Sequence, residues 1–342
     1  MKNVLVYSLA LVIATAPLFI IPACSKSSDS SSDLVGNWAI STYFDGNARS
    51  EAAAFTINDT VFVGTGYTST KRLADFYKFS LDKRTWTKIA DYKGGVRSHA
   101  VGFSVNGKGY VGTGLDVNQA YTNDMYEYDP ASNTWNTKNA FGGSARRDAV
   151  AFVANGNAYI ATGYDDNYLK DVWQYNPGND SWSPKSGISG AKRAEATVFT
   201  VNNKVYLFSG NNNGSAVNDL QVYDPAADSW TTLRKLTNTS DESYDDKYTS
   251  IIRYNAAAFT IDGKAYVTTG ENGSMNSRTW EYNPADDTWT EKTVFSGTAR
   301  TGAIGFTLKN RGFIMSGRSG TNPFDNMYEF QPTVADDDDD NQ

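Results

Sequence analysis

The chain is poor in the residues that build covalent or metal frameworks. Its 342 residues include one cysteine, Cys24, and one histidine, His99. A disulfide scaffold needs paired cysteines and is excluded. A metal or redox centre made from His or Cys needs several such ligands, so neither a metal nor a cofactor is expected. There is no excess of positive charge either. With 31 Lys and Arg against 38 Asp and Glu, the chain lacks the basic surplus of a nucleic-acid binder, and no nucleic-acid partner is expected. What is abundant is aromatic residues, 21 Tyr and 8 Trp among them, together with 29 Gly. That mixture points to β-structure with many turns.

Only one long apolar run exists, from Val4 to Ile21, after a single Lys2. Followed by a small residue and Cys24, it reads as an export signal. The tetrad IPAC resembles the lipobox of bacterial lipoproteins, in which cleavage before the Cys leaves it as the lipidated first residue. The competing reading is an uncleaved anchor, since the run is just long enough to span a bilayer. We expect residues 1–23 to be a lipoprotein signal peptide, with Cys24 the lipidation site and the polar stretch 24–33 a flexible tether. Ser25 is not the Asp that retains some bacterial lipoproteins at the inner membrane, so an outer-membrane location is expected. At the other end, residues 334–342 contain Asp336 to Asp340, a like-charge block that cannot pack, and are expected to be disordered. Without both ends the chain carries 30 basic and 33 acidic side chains, so its acidity implies no cationic partner.

The remaining chain, 34–333, is one pattern written six times. Copies begin at Arg49, Arg97, Arg146, Arg193, Arg253 and Arg300. Three residues after each Arg is Ala, six after is Phe, thirteen after is Tyr or Phe, and seventeen after is Gly. Each copy reads as about four strands, the first two joined at NG, NN, DG or ND, a hairpin signal. The Gly is expected at a strand end, in a conformation other residues resist. An Asp/Asn-Pro pair starts the turn before the outer strand. That outer strand ends the repeat, as in DMYEYDPASNTW up to Trp135 and DVWQYNPGNDSW up to Trp182.

The sixth copy ends at Pro332 without its Trp. Trp86, Trp135, Trp182 and Trp289 each lie 11 residues before the next Arg, and Trp38 stands at the same distance before Arg49. The strand missing from the end is therefore at the beginning. A linear array has no need for such a split, whereas a closed ring is fastened by it. The expected fold is all-β, a six-bladed β-propeller of four-stranded antiparallel blades closed by an N-terminal strand.

These residues resemble kelch repeats: a period near 50, a Gly after the second strand, a Tyr in the third and a Trp in the fourth. The usual Gly-Gly doublet is here Thr-Gly or Ser-Gly, as at Thr113–Gly114 and Ser209–Gly210, which marks a divergent bacterial type. The resemblance implies either a binding module or an enzyme, since kelch-like propellers include a copper galactose oxidase and sialic acid mutarotases. The copper chemistry needs two His ligands and a Cys crosslinked to Tyr, and one His with Cys24 outside the ring excludes it. Asp-box sialidases have a Gly that NPADDTW lacks, and are set aside.

A propeller ligand is expected over the channel, on the face where each inner strand begins. The repeated arginines Arg49, Arg97, Arg146, Arg193, Arg253 and Arg300 lie there, and read either as a binding face or as a blade-to-blade structural element. Two residues on stand Glu51, His99, Asp148, Glu195, Asn255 and Gly302. This is a position that varies inside a constant frame, where specificity is built. The leading expectation is a protein- or glycan-binding or scaffold module. The alternative is a carbohydrate mutarotase or epimerase of the sialic acid type, using Glu51, His99 and Glu195 as proton donors and acceptors. One connection, Trp230 to Arg253, is 12 residues longer than the rest. Its insertion, 237–252, is expected to overhang the same face, with Asp241, Glu242, Asp245 and Asp246 as a calcium alternative to a tolerated surface loop.

Overall fold

A computed structural model of the chain describes Met1 and residues 34–337; the signal segment, Cys24, the tether and Asp338 to Gln342 lie outside the described residues. Among the described residues six antiparallel blades follow one another around a channel, with a separate two-stranded hairpin of Asn211–Asn212 and Ser215–Ala216 on the fourth. The first contains Ala53–Ile57, Thr60–Gly64, Phe76–Ser80 and Thr85–Ile89, in that order from the channel outward. The next four repeat it. The innermost strands of neighbouring blades pack on one another all round, and Ala53–Ile57 of the first blade meets Thr301–Leu308 of the sixth. Among the described residues no helix is long and apolar enough to cross a membrane.

The sixth blade is composite. Its strands Thr301–Leu308, Arg311–Ser319 and Asn326–Gln331 are completed by Asn37–Tyr43, which pairs antiparallel with Asn326–Gln331 and sets Trp38 opposite Phe330. Trp38 is fully buried, and its indole N–H donates to Thr279 Oγ1 of the fifth blade at 3.2 Å. The ring is closed by strand pairing between the two ends of the folded chain, as the Trp spacing predicts.

The constant offsets have direct physical causes. The Phe at offset six and the aromatic at offset thirteen are cross-strand partners that stack, as Phe55 on Phe62 at 5.0 Å and Phe306 on Phe313 at 5.5 Å. Each Phe also covers the next blade. A Cβ on Gly109 would stand 2.1 Å from the ring of Phe55, so that position stays small. The inner hairpins turn on two residues of positive φ, as at Asn106–Gly107 and Asn202–Asn203, the type I′ geometry that matches strand twist. The sixth turns on Lys309–Asn310, outside the expected set but with the same backbone.

The Gly at offset seventeen has φ between 81° and 109° in all six copies. Its amide donates to the carbonyl of the next blade's Arg, from Gly66 to Arg97 at 2.7 Å round to Gly317 and Arg49 at 2.9 Å. The Thr or Ser before it also takes positive φ, 46° to 62°, so the residue that replaces the first Gly of the doublet keeps a Gly-like backbone.

The six arginines are structural. All are buried, 0–1% exposed. Each guanidinium donates to the carbonyl of that Thr or Ser, sixteen residues on, at 2.8–3.1 Å. In four blades it also forms a two-pronged ion pair, with Asp75, Asp124, Asp171 or Asp219. The fifth blade has Arg278 at that place and the sixth Asn326, so Arg253 finds only carbonyls and Arg300 an amide oxygen. Burial without a carboxylate lowers both, Arg253 to about 9 and Arg300 to about 10. An aromatic five residues earlier packs on several of these arginines, Phe44 on Arg49 at 4.7 Å and Phe141 on Arg146 at 4.9 Å.

The long connection serves the same scheme. Tyr248, five residues before Arg253, fills the aromatic place, buried beside Trp280, and its hydroxyl accepts the Trp289 amide at 2.6 Å. Asp245 is buried and accepts the Thr239 and Ser240 amides at 3.0 Å, which ties the loop to itself. The expected calcium set therefore does not form: Asp241, Glu242 and Asp246 do not gather with Asp245 into a group able to share an ion. The insertion lies against the loops that follow the repeated Gly of the fourth and fifth blades, where Asn218 Nδ2 donates to Thr237 Oγ1 at 2.7 Å and Asn276 Nδ2 to the Ser250 carbonyl at 3.1 Å.

Candidate functional site

The variable position two residues after each Arg forms a closed ring. Glu51, His99, Asp148, Glu195, Asn255 and Gly302 all take φ between 53° and 65°. This conformation favours Gly, Asn, Asp and His and is uncommon for Glu. It is held by a cycle of backbone hydrogen bonds, each amide donating to the same position of the preceding blade. Glu51 donates to Gly302 at 3.1 Å, His99 to Glu51 at 3.0 Å and Asp148 to His99 at 3.3 Å. Glu195 donates to Asp148 at 3.0 Å, Asn255 to Glu195 at 2.8 Å and Gly302 to Asn255 at 3.4 Å. The backbone at the mouth is thereby satisfied and fixed, and the five side chains surround a cup of about 140 Å³ floored by the repeated alanines. Gly302 makes room: a Cβ there would stand 2.3 Å from Glu51 Oε1.

Each ionisable side chain is oriented by a neighbour. Glu51 Oε1 accepts from Asn255 Nδ2 at 2.9 Å and lies 3.9 Å from Arg318. His99 Nδ1 is 2.9 Å from Ser98 Oγ, and its Nε2 faces Asp148 Oδ1 at 3.9 Å. Asp148 Oδ2 is paired with Arg147, and Glu195 Oε2 accepts from Asn211 Nδ2 at 2.8 Å. Burial raises Asp148 above the usual carboxylate range, as does the charge of Glu51, against the pull of His99 and Arg147. Burial and then the charge of Asp148 push Glu195 up to about 7.

The structure thus brings together Glu51, His99, Asp148, Glu195 and Asn255, and keeps the six repeated arginines out. The guanidinium groups near the mouth are Arg147, Arg318 and Arg72, whose Nε donates to Ser98 Oγ at 2.9 Å; the sequence reading missed all three. Arg147 directly follows a repeated Arg. Arg318 directly follows the last conserved Gly, a position that pairs with offset one in every blade, as Ser50 with Tyr67 and Ala194 with Asn211. That pairing is the signal that could have found Arg318, Tyr67 and Asn211. Between blades one and six the mouth opens into a side pocket of about 300 Å³ lined by Ser50, Glu51, Tyr67, Thr68, Ser69, His99, Arg318 and Thr321. Behind the cup the channel continues as a wider cavity of about 430 Å³, with small and hydroxylated side chains such as Ala54, Ser104, Thr200 and Thr307.

Six closed blades with a constant frame and a variable polar mouth define a β-propeller, an architecture suited to a binding or scaffold module. Two family descriptions match the chain: the KLHDC2/KLHL20/DRC7 Kelch-repeats domain over residues 42–190, and the Kelch motif over residues 192–237. The chain belongs to the kelch-repeat propellers. Among solved structures it is similar to that of YjhT, with a TM-score of 0.69 and 17% identity over 83% of this chain and 95% of that one. At that identity the likeness is one of fold. No curated protein matches the chain.

Proposed function

We propose that this chain is an exported, lipid-anchored kelch propeller that binds a glycan at the channel mouth. The observation that carries the reading is the side pocket between blades one and six. It combines the Tyr67 ring, over which the Arg72 guanidinium lies at 5.6 Å, the hydroxyls of Ser50, Thr68, Ser69 and Thr321, the Arg318 guanidinium and the Glu51 carboxylate, in a volume suited to one sugar unit. An aromatic ring among donors and acceptors suits the apolar faces and hydroxyls of a sugar. The mouth is open: the Arg318 side chain keeps 36% of its exposure and that of Arg147 31%. This favours binding over sequestered chemistry. A glycan array probed with the full-length protein tests it. Binding that falls at least tenfold in Tyr67→Ala and Arg318→Ala supports the reading. Binding that ignores both substitutions, or no glycan bound at all, refutes it.

The second reading, a sugar mutarotase or epimerase, is favoured by one observation. Glu195, held near neutrality beside Asp148, is poised to exchange a proton at ordinary pH. Anomer exchange followed by NMR over a panel of free sugars decides it. Acceleration that disappears in Glu195→Gln would establish catalysis. The lipid anchor rests on IPAC and Cys24, and mass spectrometry of the mature N-terminus reads it directly.

A further inference from the structure

We propose that the channel mouth binds one divalent transition-metal ion, of the zinc or manganese type, through Glu51, His99 and Asp148. One ligating atom from each of these three side chains lies within 4.8 Å of the other two, and no other group of three such residues among the described residues does so. Around an ion with bonds of about 2.0–2.2 Å, neighbouring ligand atoms stand roughly 3.0–3.6 Å apart, so closure needs shifts of about an ångström or less. The three come from successive blades, and the bonded backbone ring fixes their spacing.

Each of the three side chains keeps one atom free, and His99 Nε2 lies 3.9 Å from Asp148 Oδ1. Glu51 Oε2, His99 Nε2 and Asp148 Oδ1 make no hydrogen bond among the described residues, while the other polar atom of each side chain is held from outside. Asn255 holds Glu51 Oε1, Ser98 lies against His99 Nδ1, and Arg147 is paired with Asp148 Oδ2. When Nδ1–H donates to Ser98 Oγ, the Nε2 lone pair is directed at Asp148 and the mouth. Outer partners of this kind are what orient metal ligands in built sites. One imidazole with two carboxylates suits zinc or manganese better than calcium, which prefers oxygen alone. A ligand count based on His and Cys excludes this site, because two of its three ligands are carboxylates from distant repeats. The inference does not depend on the glycan reading. The cup shares Glu51 and His99 with the side pocket, so an ion there would also lie beside any ligand bound in it.

The test is calorimetric titration of the chelator-stripped full-length protein with Zn²⁺ and Mn²⁺ separately, with Ca²⁺ as a control. The expected result is one ion per chain and a raised thermal midpoint, with affinity at least tenfold lower in His99→Asn and in Asp148→Asn. Asn already occupies this ring at residue 255 with the same φ, so both variants keep the backbone. Should either fail to unfold cooperatively, Glu51→Gln and Ser98→Ala take their place with the same expected loss. The proposal is overturned by no saturable binding, by binding of Ca²⁺ alone, or by binding that persists within twofold in the variants and so belongs to the Asp336 to Asp340 run.

Discussion

Trp38 and Phe330 face each other across the seam of the ring, their ring centroids 4.8 Å apart, one from the start of the folded chain and one from its end. Trp38 also meets Phe259 and Phe295 edge-on at 5.8 Å and 5.2 Å, so one side chain joins the sixth blade to the fifth. Trp38→Ala should therefore cost about 3–5 kcal/mol, the loss expected for a large buried aromatic. Equilibrium urea unfolding measures it, and a loss below about 1 kcal/mol would contradict the seam's role.

The buried ion pairs make opposite predictions for two blades. In the fourth, the side chains of Arg193 and Asp219 are 0% and 8% exposed. Asp219→Asn strands a buried charge and should destabilise by roughly 3 kcal/mol. In the sixth, Arg300 Nη2 has no partner and Asn326 stands where four other blades have Asp. Asn326→Asp supplies the missing carboxylate and should stabilise by about 1–2 kcal/mol. Both are read from thermal and urea midpoints, and equal effects of the two substitutions would refute the pairing scheme.

Two carboxyls pull the pH dependence in opposite directions. Burial alone would raise Asp171, but hydrogen bonds and charge from Arg146, with the Trp173 N–H, hold it below its ordinary value. Its stabilisation is present above the unfolded pKa near 4 and is lost as pH falls through the lower folded value. Asp171→Asn should accordingly remove part of the acid dependence of the midpoint.

Glu195 has the reverse sign. Its folded pKa, near 7 through burial and the Asp148 charge, lies above the unfolded value, so its contribution is present below about pH 4.5 and lost as pH rises through 7. In chelator, Glu195→Gln should match the parent near pH 4.5 and exceed its stability by on the order of 2 kcal/mol at pH 8. A difference that does not change with pH would show Glu195 to be ionised like a surface carboxylate.

Gly302→Ala tests the ring itself. The added methyl meets Glu51 Oε1 and must adopt φ near 65°. A loss of about 1–2 kcal/mol in thermal unfolding is expected, together with displacement of the Glu51 carboxylate. Full stability in this variant would mean that the mouth is not closely packed around residue 302.

The sequence made much of this frame legible, and the reason is repetition. Offsets three, six, thirteen and seventeen named the inner strands, their stacked aromatics and the Gly that bonds to the next blade. The arginine partners were equally visible, because Asp75, Asp124, Asp171 and Asp219 each open the second half of their repeat. They went unread because an ion pair 25 to 27 residues apart is decided by folding. Tyr248 was hidden by the insertion, although counting back from Arg253 finds it. The mouth was only half visible: Glu51, His99, Asp148, Glu195 and Asn255 could be named as a ring, but not Arg147, Arg318 or Tyr67 around it.

The sequence by itself determined the number of blades, the order of strands and the place where the ring closes. These follow from period, hydrophobic alternation and one displaced Trp, all of which are local quantities. Only the tertiary structure decided that the repeated arginines face inward, that the long loop seals a blade, and that Glu51, His99 and Asp148 converge. Those facts depend on distances across the ring, which are set by how tightly six sheets pack around an axis and are written in no single repeat.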